Sequence, residues 1–264
     1  MSEPGKWGDL APRLISGVAM AVGGLGIVWL GGVWFAALAT VAGALMIWEL
    51  ARMTDPGRPA EALVLAAGAA GILGTIFVMH SPYLLPLLIV PAAFGILRPK
   101  RPMRIAFVLY AAMIMIASYG LVAFREGYGL LWILWLILVV VVTDIAGYFA
   151  GRIFGGPKFW PRFSPKKTWS GTVAGWIAAA GIGLIFLRIS TAGIDLLWIS
   201  ALLAFASQLG DIAESAIKRQ AGVKDSSNLI PGHGGLMDRF DGLLGAALFM
   251  LLVAQLTDVP VVRF

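Results

Sequence analysis

The chain has 264 residues, of which 59% are hydrophobic and only 13% are charged. Soluble domains are about 45–50% apolar and about 25% charged, so this composition excludes a soluble enzyme and indicates a membrane protein. The absence of cysteine excludes disulfides, thiolate metal sites and cysteine nucleophiles. The net charge of +6 indicates membrane topology and anionic partners rather than nucleic acid.

Nine apolar runs approach the length of about 20 residues that is needed to cross the hydrocarbon core of a bilayer. The predicted spans are residues 14–30, 32–50, 61–79, 82–97, 104–124, 128–150, 170–188, 193–217 and 235–256. The fourth is the weakest, since it is short and its three prolines favour a kink or a re-entrant segment. The sequence therefore predicts an all-α polytopic membrane protein with about nine transmembrane helices.

The distribution of cations tests this arrangement. With nine spans, all of the 20 Lys and Arg residues except Arg125, Arg188 and Arg263 fall on the same side as the N-terminus. Positively charged loops remain cytoplasmic, so the N-terminus is predicted in the cytoplasm and the C-terminus on the opposite side. Removing one span would reverse every later loop and destroy this asymmetry, which supports the doubtful fourth helix.

Polar residues are unevenly distributed along the chain. Residues 1–140 consist of apolar spans joined by short loops and are predicted to form a membrane scaffold with room for dimer contacts. Residues 141–264 carry acids inside apolar runs and two long polar loops, 151–169 and 218–234. An ionisable group at the bilayer centre costs at least about 2.5–3.5 kcal/mol, so such groups usually face a cavity, a partner or a ligand. Catalysis is therefore predicted in residues 141–264.

Acidic side chains in two of these spans are the first candidates. Asp144 follows a very apolar run, either as part of a site or close enough to the cytoplasmic end to remain hydrated. In the eighth span, the polar residues that share one helical face are Ser207, Asp211, Glu214, Ser215 and Lys218. This face must contact protein or water. The alternative to a site is a network of Asp211, Ser215 and Lys218 that satisfies only itself.

The loop after the eighth span combines glycines, cations and carboxylates. Gly232, Gly234 and Gly235 allow backbone N–H groups to approach an anion at the start of the ninth helix, where the helix dipole favours phosphate. The charged residues around them are Lys218, Arg219, Lys224, Asp238, Arg239 and Asp241. This mixture suits a phosphate with a divalent metal ion. His233 is a general acid or base, a hydrogen-bond donor to phosphate or a turn residue.

The connection 151–169 is the third polar cluster. Its cations, which alternate with aromatic residues and prolines, are Lys158, Arg162, Lys166 and Lys167. They form either a cytoplasmic loop at anionic lipid headgroups or a binding segment for a polyphosphate. The segment from Ser164 to Thr168 is typical of a helix start, with hydroxyl groups that could cap the helix or contact a ligand.

Acids and cations at a membrane–cytosol boundary fit two classes of protein, an enzyme that transfers a phosphoryl or nucleotidyl group to a lipid and a transporter of a charged solute. The position of the acids at helix ends beside long basic loops favours the enzyme. Magnesium prefers carboxylates with substrate phosphate oxygens, and Asp211 and Asp238 are the predicted pair because each lies on a helix that adjoins the same basic loop. A phosphate-monoester acceptor needs no strong base, which agrees with a chain that has only two histidines.

Two stretches of the second half form a specific pattern. The first contains Ser215-Ala-Ile-Lys218-Arg219, Lys224-Asp225 and Pro231-Gly-His233-Gly234-Gly235-Leu-Met-Asp238-Arg239-Phe-Asp241. The second contains Asp144, Gly147-Tyr148, Gly151, Phe154-Gly155, Lys158, Pro161, Ser164-Pro165-Lys166-Lys167-Thr168-Trp169 and Gly171. Together they resemble the signature of the phosphatidate cytidylyltransferase (CDP-diacylglycerol synthase) family over about residues 144–245. The first 140 residues match this family only in length and hydrophobicity.

This resemblance implies a nucleotidyltransferase of phospholipid biosynthesis that converts CTP and phosphatidate to CDP-diacylglycerol and pyrophosphate. It implies a multi-pass enzyme of the inner (cytoplasmic) membrane with its active site facing the cytoplasm, commonly a homodimer. A lipid kinase that uses CTP is the nearest enzymatic alternative, and it would release CDP.

The resemblance also implies roles for individual residues. Mg²⁺, with a second monovalent or divalent cation as an option, would be held by Asp211 and Asp238, with Asp144 or Asp241 as further carboxylates. The cations implied to bind phosphate are Lys218, Arg219, Lys224 and Arg239. The other residues implied to bind substrate are Ser164, Lys166, Lys167, Thr168, Ser215, His233, Gly234 and Gly235.

Overall fold

The computed structural model describes residues 10–98, 100–230 and 232–256, with side chains described from residue 17 onward. Seven helices in this part of the chain are long and apolar enough to cross a membrane. The predicted all-α polytopic membrane fold is confirmed at this level. The predicted locations of the two chain ends, and Pro231 of the signature, lie outside the described residues.

The helical segments follow the predicted spans closely. In chain order they are α1 (Leu10–Leu30), α2 (Gly32–Thr54), α3 (Pro59–Met79), a 3₁₀ helix (Pro82–Ile89), α4 (Val90–Leu97), α5 (Arg104–Tyr128), α6 (Leu130–Phe154), α7 (Trp169–Ile189), α8 (Asp195–Gln220) and α9 (Met237–Leu256). An antiparallel hairpin of β1 (Lys158–Trp160) and β2 (Ser164–Thr168) precedes α7.

The proline-rich fourth span is divided into the 3₁₀ helix and α4, each of eight residues. Pro86 lies inside the 3₁₀ helix and Pro91 in the first turn of α4, where the missing N–H groups are tolerated. At about 2.0 Å and 1.5 Å of rise per residue, the two segments would extend about 28 Å if they were collinear. Pro82–Leu97 is nevertheless shorter than the seven long helices, so the total of nine spans remains a prediction.

The chain folds into two compact units, each built from two stretches of sequence. Among the described residues, the first unit contains 10–115 and 221–239, and the second contains 116–220 and 240–256. The sequence-based division at residue 140 concerns scaffold and catalytic roles, and it remains a prediction.

In the first unit, α2 packs along α3, and its apolar face is completely buried at Ile47 and Leu50. A buried cation holds the loops of this unit. The guanidinium group of Arg101 pairs with the Glu61 carboxylate and donates a hydrogen bond to Thr54 Oγ1 at 3.2 Å. A buried charge is stable only when it is paired and hydrogen-bonded, so these contacts fix the start of α3 against the end of α2.

In the second unit, α7 packs against both α6 and α8. Trp135 of α6 is buried and donates a hydrogen bond from Nε1 to Ser200 Oγ of α8 at 3.1 Å. The helices approach closely because glycines lie at the contacts. A Cβ atom at Gly171 of α7 would collide with the carbonyl oxygen of Gly147 in α6. Close helix approach through small residues is typical of membrane proteins.

Candidate active site

The polar face of α8 is one continuous helical face, as predicted. Ser215 Oγ donates a hydrogen bond to Asp211 Oδ1 at 3.2 Å, and Lys218 Nζ lies 2.5 Å from Glu214 Oε2. The side chain of Glu214 is completely buried. The Ser215–Asp211 bond of the alternative network is present, and Lys218 pairs with Glu214, which that network did not include.

Three carboxylates meet beside this face. Asp211, Glu214 and Asp241 each place an oxygen so that all three oxygens lie within 4.8 Å of one another. Two lysines contact the group, because Lys167 pairs with Asp211 and Lys218 pairs with Glu214. Three carboxylates at such separations repel one another strongly unless cations are present. The three oxygens are close enough together to be candidate ligands for one cation, in addition to the charge that the two lysines supply.

Glycines bring α8 and α9 close enough to form this cluster. A Cβ atom at Gly210, next to Asp211, would collide with the backbone carbonyl oxygen of Asp241. A Cβ atom at Gly245 would likewise collide with the carbonyl oxygen of Ala206. Because the colliding atoms belong to the backbone, no side-chain rotation could relieve the contact. The close approach of Asp211 and Asp241 thus depends on glycine at positions 210 and 245.

The predicted helix start at Ser164–Thr168 is correct only for its last residue, Thr168, because the segment itself forms strand β2 and Thr168 also caps the helix that follows. Thr168 pairs with Lys158 of β1 and Ser164 pairs with Trp160. The helix begins one residue later, at Trp169, and Thr168 is its cap: Thr168 Oγ1 accepts a hydrogen bond from the Gly171 N–H at 3.3 Å. The prolines and aromatic residues suit the extended hairpin, which places the lysine pair on a strand.

A cavity of about 390 Å³ lies in the second unit beside the hairpin. The charged residues that line it are Asp144, Arg152, Lys166 and Lys167. Thr168 and Gln208 line it as well, so neutral hydrogen-bonding groups are mixed with the charges. Lys167 contacts both the cavity and Asp211, which connects this volume to the carboxylate cluster.

The glycine-rich loop belongs to the first unit and forms a tight turn. The Ile230 N–H donates to the Gly234 carbonyl oxygen at 2.8 Å, and the His233 N–H donates back to the Ile230 oxygen at 3.0 Å. Gly234 has φ of +82°, a conformation that glycine adopts without strain. Arg239 stabilises the turn by donating two hydrogen bonds to the His233 carbonyl oxygen.

A second cavity of about 390 Å³ lies within this loop. The residues that line it include Lys224, Asp225, Asn228, His233, Gly234 and Arg239. Two cations, an amide and backbone turns around one polar volume suit an anion, although the Asp225 carboxylate also lines it. The predicted cations Lys224 and Arg239 thus share a cavity with His233.

Asp238 and Asp211 lie in different units and have different described contacts. Oδ2 of Asp238 accepts three hydrogen bonds, from the Ser226 N–H at 2.9 Å, Ser226 Oγ at 2.8 Å and the Gly235 N–H at 2.8 Å. These bonds order the loop at the start of α9. The predicted metal pair of Asp211 and Asp238 stays a prediction.

The remaining predicted residues are distributed around these features. Ser215 contacts Asp211, Ser164 lies half-buried on β2, and Arg219 is exposed near the end of α8. Glu214 was recognised as part of the polar face but was not predicted as a ligand. The sequence does carry a signal for Glu214 as a site residue, because an acid inside an apolar span is a candidate by the same rule that selects Asp144.

Carboxylates with paired lysines, of which only Glu214 is fully buried, lie in apolar helices beside cation-lined cavities, and this arrangement suits a membrane protein that binds polyanions. Residues 11–257 match the model of the Cytidylyltransferase family. The chain belongs to this family, and it is therefore a nucleotidyltransferase.

Relatives along nearly the whole chain carry one name. A phosphatidate cytidylyltransferase of Brucella suis is 36% identical, with 96% of this chain and 97% of the relative covered. One of Bacillus subtilis is 30% identical, over 94% of this chain and 98% of the relative. One of Staphylococcus saprophyticus is 41% identical over 53% of this chain and 57% of the relative. The family resemblance inferred from the signature is confirmed.

Proposed function

We propose that this chain is a phosphatidate cytidylyltransferase, which uses CTP and phosphatidate to form CDP-diacylglycerol and pyrophosphate. The family and the names of the relatives support this reaction. The structural observation that carries it is Lys167, which lines the cation-rich cavity and pairs with Asp211 of the carboxylate cluster. One lysine thereby joins a volume suited to a polyanion to the oxygens that we propose as metal ligands.

In the proposed reaction, an oxygen of the phosphatidate phosphate bonds to the α-phosphorus of CTP. The bond from that phosphorus to the bridging oxygen of the β-phosphate breaks, and pyrophosphate leaves with the electron pair. The attacking phosphate is largely a dianion at neutral pH, because its second pKa is about 6, so no side chain has to remove a proton. The protein has to bring two anions together, and Arg152, Lys166 and Lys167 at the cavity reduce their repulsion.

The carboxylate cluster fits Mg²⁺, which prefers carboxylate oxygens and leaves positions for phosphate oxygens and water. Asp211, Glu214 and Asp241 would hold the ion. When bound, it supplies positive charge that neutralises the reacting phosphates and helps to align them. Asp144, which lines the cavity, is a further candidate ligand for this ion or for a second cation. We retain Asp238 as a candidate Mg²⁺ ligand on the basis of the sequence, although its Oδ2 also orders the loop.

The second proposed anion site is the loop cavity of the first unit. Lys224 and Arg239 carry the positive charge there, and His233 contributes an imidazole beside them. We propose that Lys218 and Arg219 assist in phosphate binding, as the signature implies. All of these proposed site residues lie in residues 141–264, the predicted catalytic region, and we propose that residues 1–140 form the scaffold.

The reaction is tested with the purified full-length protein in detergent micelles that contain phosphatidate. We expect pyrophosphate release and CDP-diacylglycerol formation only when CTP, phosphatidate and Mg²⁺ are all present. The matched control replaces phosphatidate with diacylglycerol, which lacks the attacking phosphate. Release of CDP with diacylglycerol would instead indicate the lipid-kinase alternative, and solute flux in sealed vesicles without nucleotide turnover would indicate a transporter.

The proposed topology has nine spans in the inner (cytoplasmic) membrane, with the N-terminus and the active site on the cytoplasmic side. We also propose a homodimer, as the resemblance implies. The absence of native cysteine makes the topology directly testable, because every introduced cysteine is the only thiol. Gly57 and Gly193 are suitable positions, since a Cβ atom at either one would meet no atom closer than 3.7 Å.

For the topology, we expect Gly57→Cys to react with a membrane-impermeant maleimide only from the cytoplasmic face of oriented vesicles. Gly193→Cys should react only from the opposite face, because five predicted spans, the third to the seventh, lie between these positions and an odd number of crossings reverses the side. Labelling of both cysteines from the same face would contradict the nine-span arrangement. Labelling after detergent solubilisation provides the control for intrinsic reactivity.

A further inference from the structure

A buried acid in the scaffold half of the chain contacts the glycine-rich loop. Glu49 lies in α2, and its side chain is completely shielded from solvent. Its carboxylate accepts four hydrogen bonds: from Ser226 Oγ at 3.4 Å, Ser227 Oγ at 2.6 Å, the Leu236 N–H at 2.8 Å and the Met237 N–H at 2.7 Å. Both carboxylate oxygens are used, and all five residues belong to the first unit.

These bonds cap the first turn of α9. The first N–H groups of a helix have no partner within the helix, and a carboxylate there also favours the positive end of the helix dipole. A cap normally comes from the residue just before the helix. Here it comes from a residue 188 positions earlier in the chain than Met237. The start of α9 therefore depends on α2.

The same carboxylate restrains the loop together with Asp238. Ser226 Oγ donates to both Glu49 and Asp238, so one hydroxyl group joins the two acids. Gly235 has no space for a side chain, because a Cβ atom there would collide with Ser226 Oγ and Glu49 Oε1. The loop is thus held by hydrogen bonds to the carboxylates of Glu49 and Asp238, and only glycine fits at position 235.

We propose that Glu49 is a positioning residue for anion binding, which holds the loop that carries Lys224, His233 and Arg239 in its binding conformation. This inference rests on the proposed function, because it assigns a role to the loop cavity in binding one of the two anionic substrates. Glu49 is not among the residues that line the cavity, and it acts through its hydrogen bonds with Ser226, Ser227 and the first amides of α9.

The test compares Glu49→Gln with a matched control, Glu61→Gln, in the full-length protein. Glutamine keeps the size of Glu49 but turns an N–H group toward backbone donors, so hydrogen bonds to a charged acceptor are lost. We expect amide hydrogen exchange across residues 226–237 to accelerate about tenfold or more. Glu61 is also a largely buried, ion-paired glutamate of the first unit, but its described contacts are with Arg58, Arg98 and Arg101. Its variant should leave exchange across residues 226–237 unchanged.

Kinetics separates positioning from general destabilisation. For Glu49→Gln we expect KM for CTP or phosphatidate to rise about tenfold, with a smaller change in kcat, because the carboxylate cluster is untouched. Glu61→Gln should leave both KM values unchanged. Unaltered exchange and unaltered KM in Glu49→Gln would overturn the proposal, as would equal acceleration of exchange throughout the first unit.

A second variant covers the case in which Glu49→Gln does not fold. The double substitution Ser226→Ala, Ser227→Ala removes two of the four donors and should change loop exchange and KM in the same direction. Wild-type exchange in this variant would overturn the proposal. If the wild-type protein releases no pyrophosphate, the proposed function fails, whereas the exchange comparison still decides whether Glu49 holds the loop.

Discussion

Replacing Asp211 with asparagine is expected to lower kcat by about 10²–10³-fold, the usual effect of removing one preorganised electrostatic group from an active site. Asp211 belongs to the carboxylate cluster, accepts a hydrogen bond from Ser215 and pairs with Lys167. Asparagine keeps the shape but loses the negative charge. The Mg²⁺ concentration for half-maximal activity should rise in the same variant. Initial rates of pyrophosphate release across a Mg²⁺ titration measure both quantities.

Asp195→Asn is the matched control for this prediction. Asp195 is exposed in the first turn of the same helix, α8, and lies at the opposite end from the cluster. Its substitution should leave kcat and the Mg²⁺ dependence unchanged. Full activity of the Asp211→Asn protein, with an unchanged Mg²⁺ dependence, would reject the assignment of Asp211 as a metal ligand.

Replacing Gly210 with alanine is expected to abolish most activity without removing any charged group. The new Cβ atom would collide with the carbonyl oxygen of Asp241 and would lie 3.1 Å from the backbone nitrogen of Gly245. The helices must separate, and such overpacking typically costs about 1–3 kcal/mol of stability. A displacement of about 1 Å within a catalytic constellation can lower the rate by about 100-fold. The thermal midpoint in detergent and the rate of pyrophosphate release should therefore both fall.

Gly181→Ala in α7 provides the comparison, because a Cβ atom at this position would meet nothing within 4 Å. In a helix interior, alanine is favoured over glycine by about 0.5–1 kcal/mol, so this variant should be as stable as the wild type or more so. Its activity should be unchanged. If Gly210→Ala behaved like Gly181→Ala, the close approach of α8 and α9 would not be required for the carboxylate cluster.

The helices and the family could be predicted from the sequence because their signals are local. An apolar run of about 20 residues indicates a membrane span wherever it packs. The α8 face was likewise predictable, since residues such as Asp211 and Ser215 are one helical turn apart in any α-helix. The signature from Ser215 to Asp241 identified the family by the identity and spacing of its residues, without reference to their contacts.

The hairpin and the fourth span show the limits of local patterns. Ser164–Thr168 offered hydroxyl groups suited to a helix start, but pairing with β1 made this segment a strand. Thr168, the last residue of this segment, is the cap of the helix that starts at Trp169. In Pro82–Leu97, the composition indicated an interruption, and only the structure showed that it takes the form of a 3₁₀ helix followed by α4.

The sequence by itself determined the membrane class, the approximate helix limits, the charged residues of the second half and the family. The tertiary structure decided that Asp211 shares a cluster with Glu214 and Asp241, and that Glu49 caps α9. The physical reason is the distance along the chain over which each kind of contact acts. Helical periodicity sets the neighbours of a residue on its own helix, whereas contacts between helices depend on how closely their backbones approach. That approach depends here on glycines such as Gly210 and on hydrogen bonds between residues far apart in the chain.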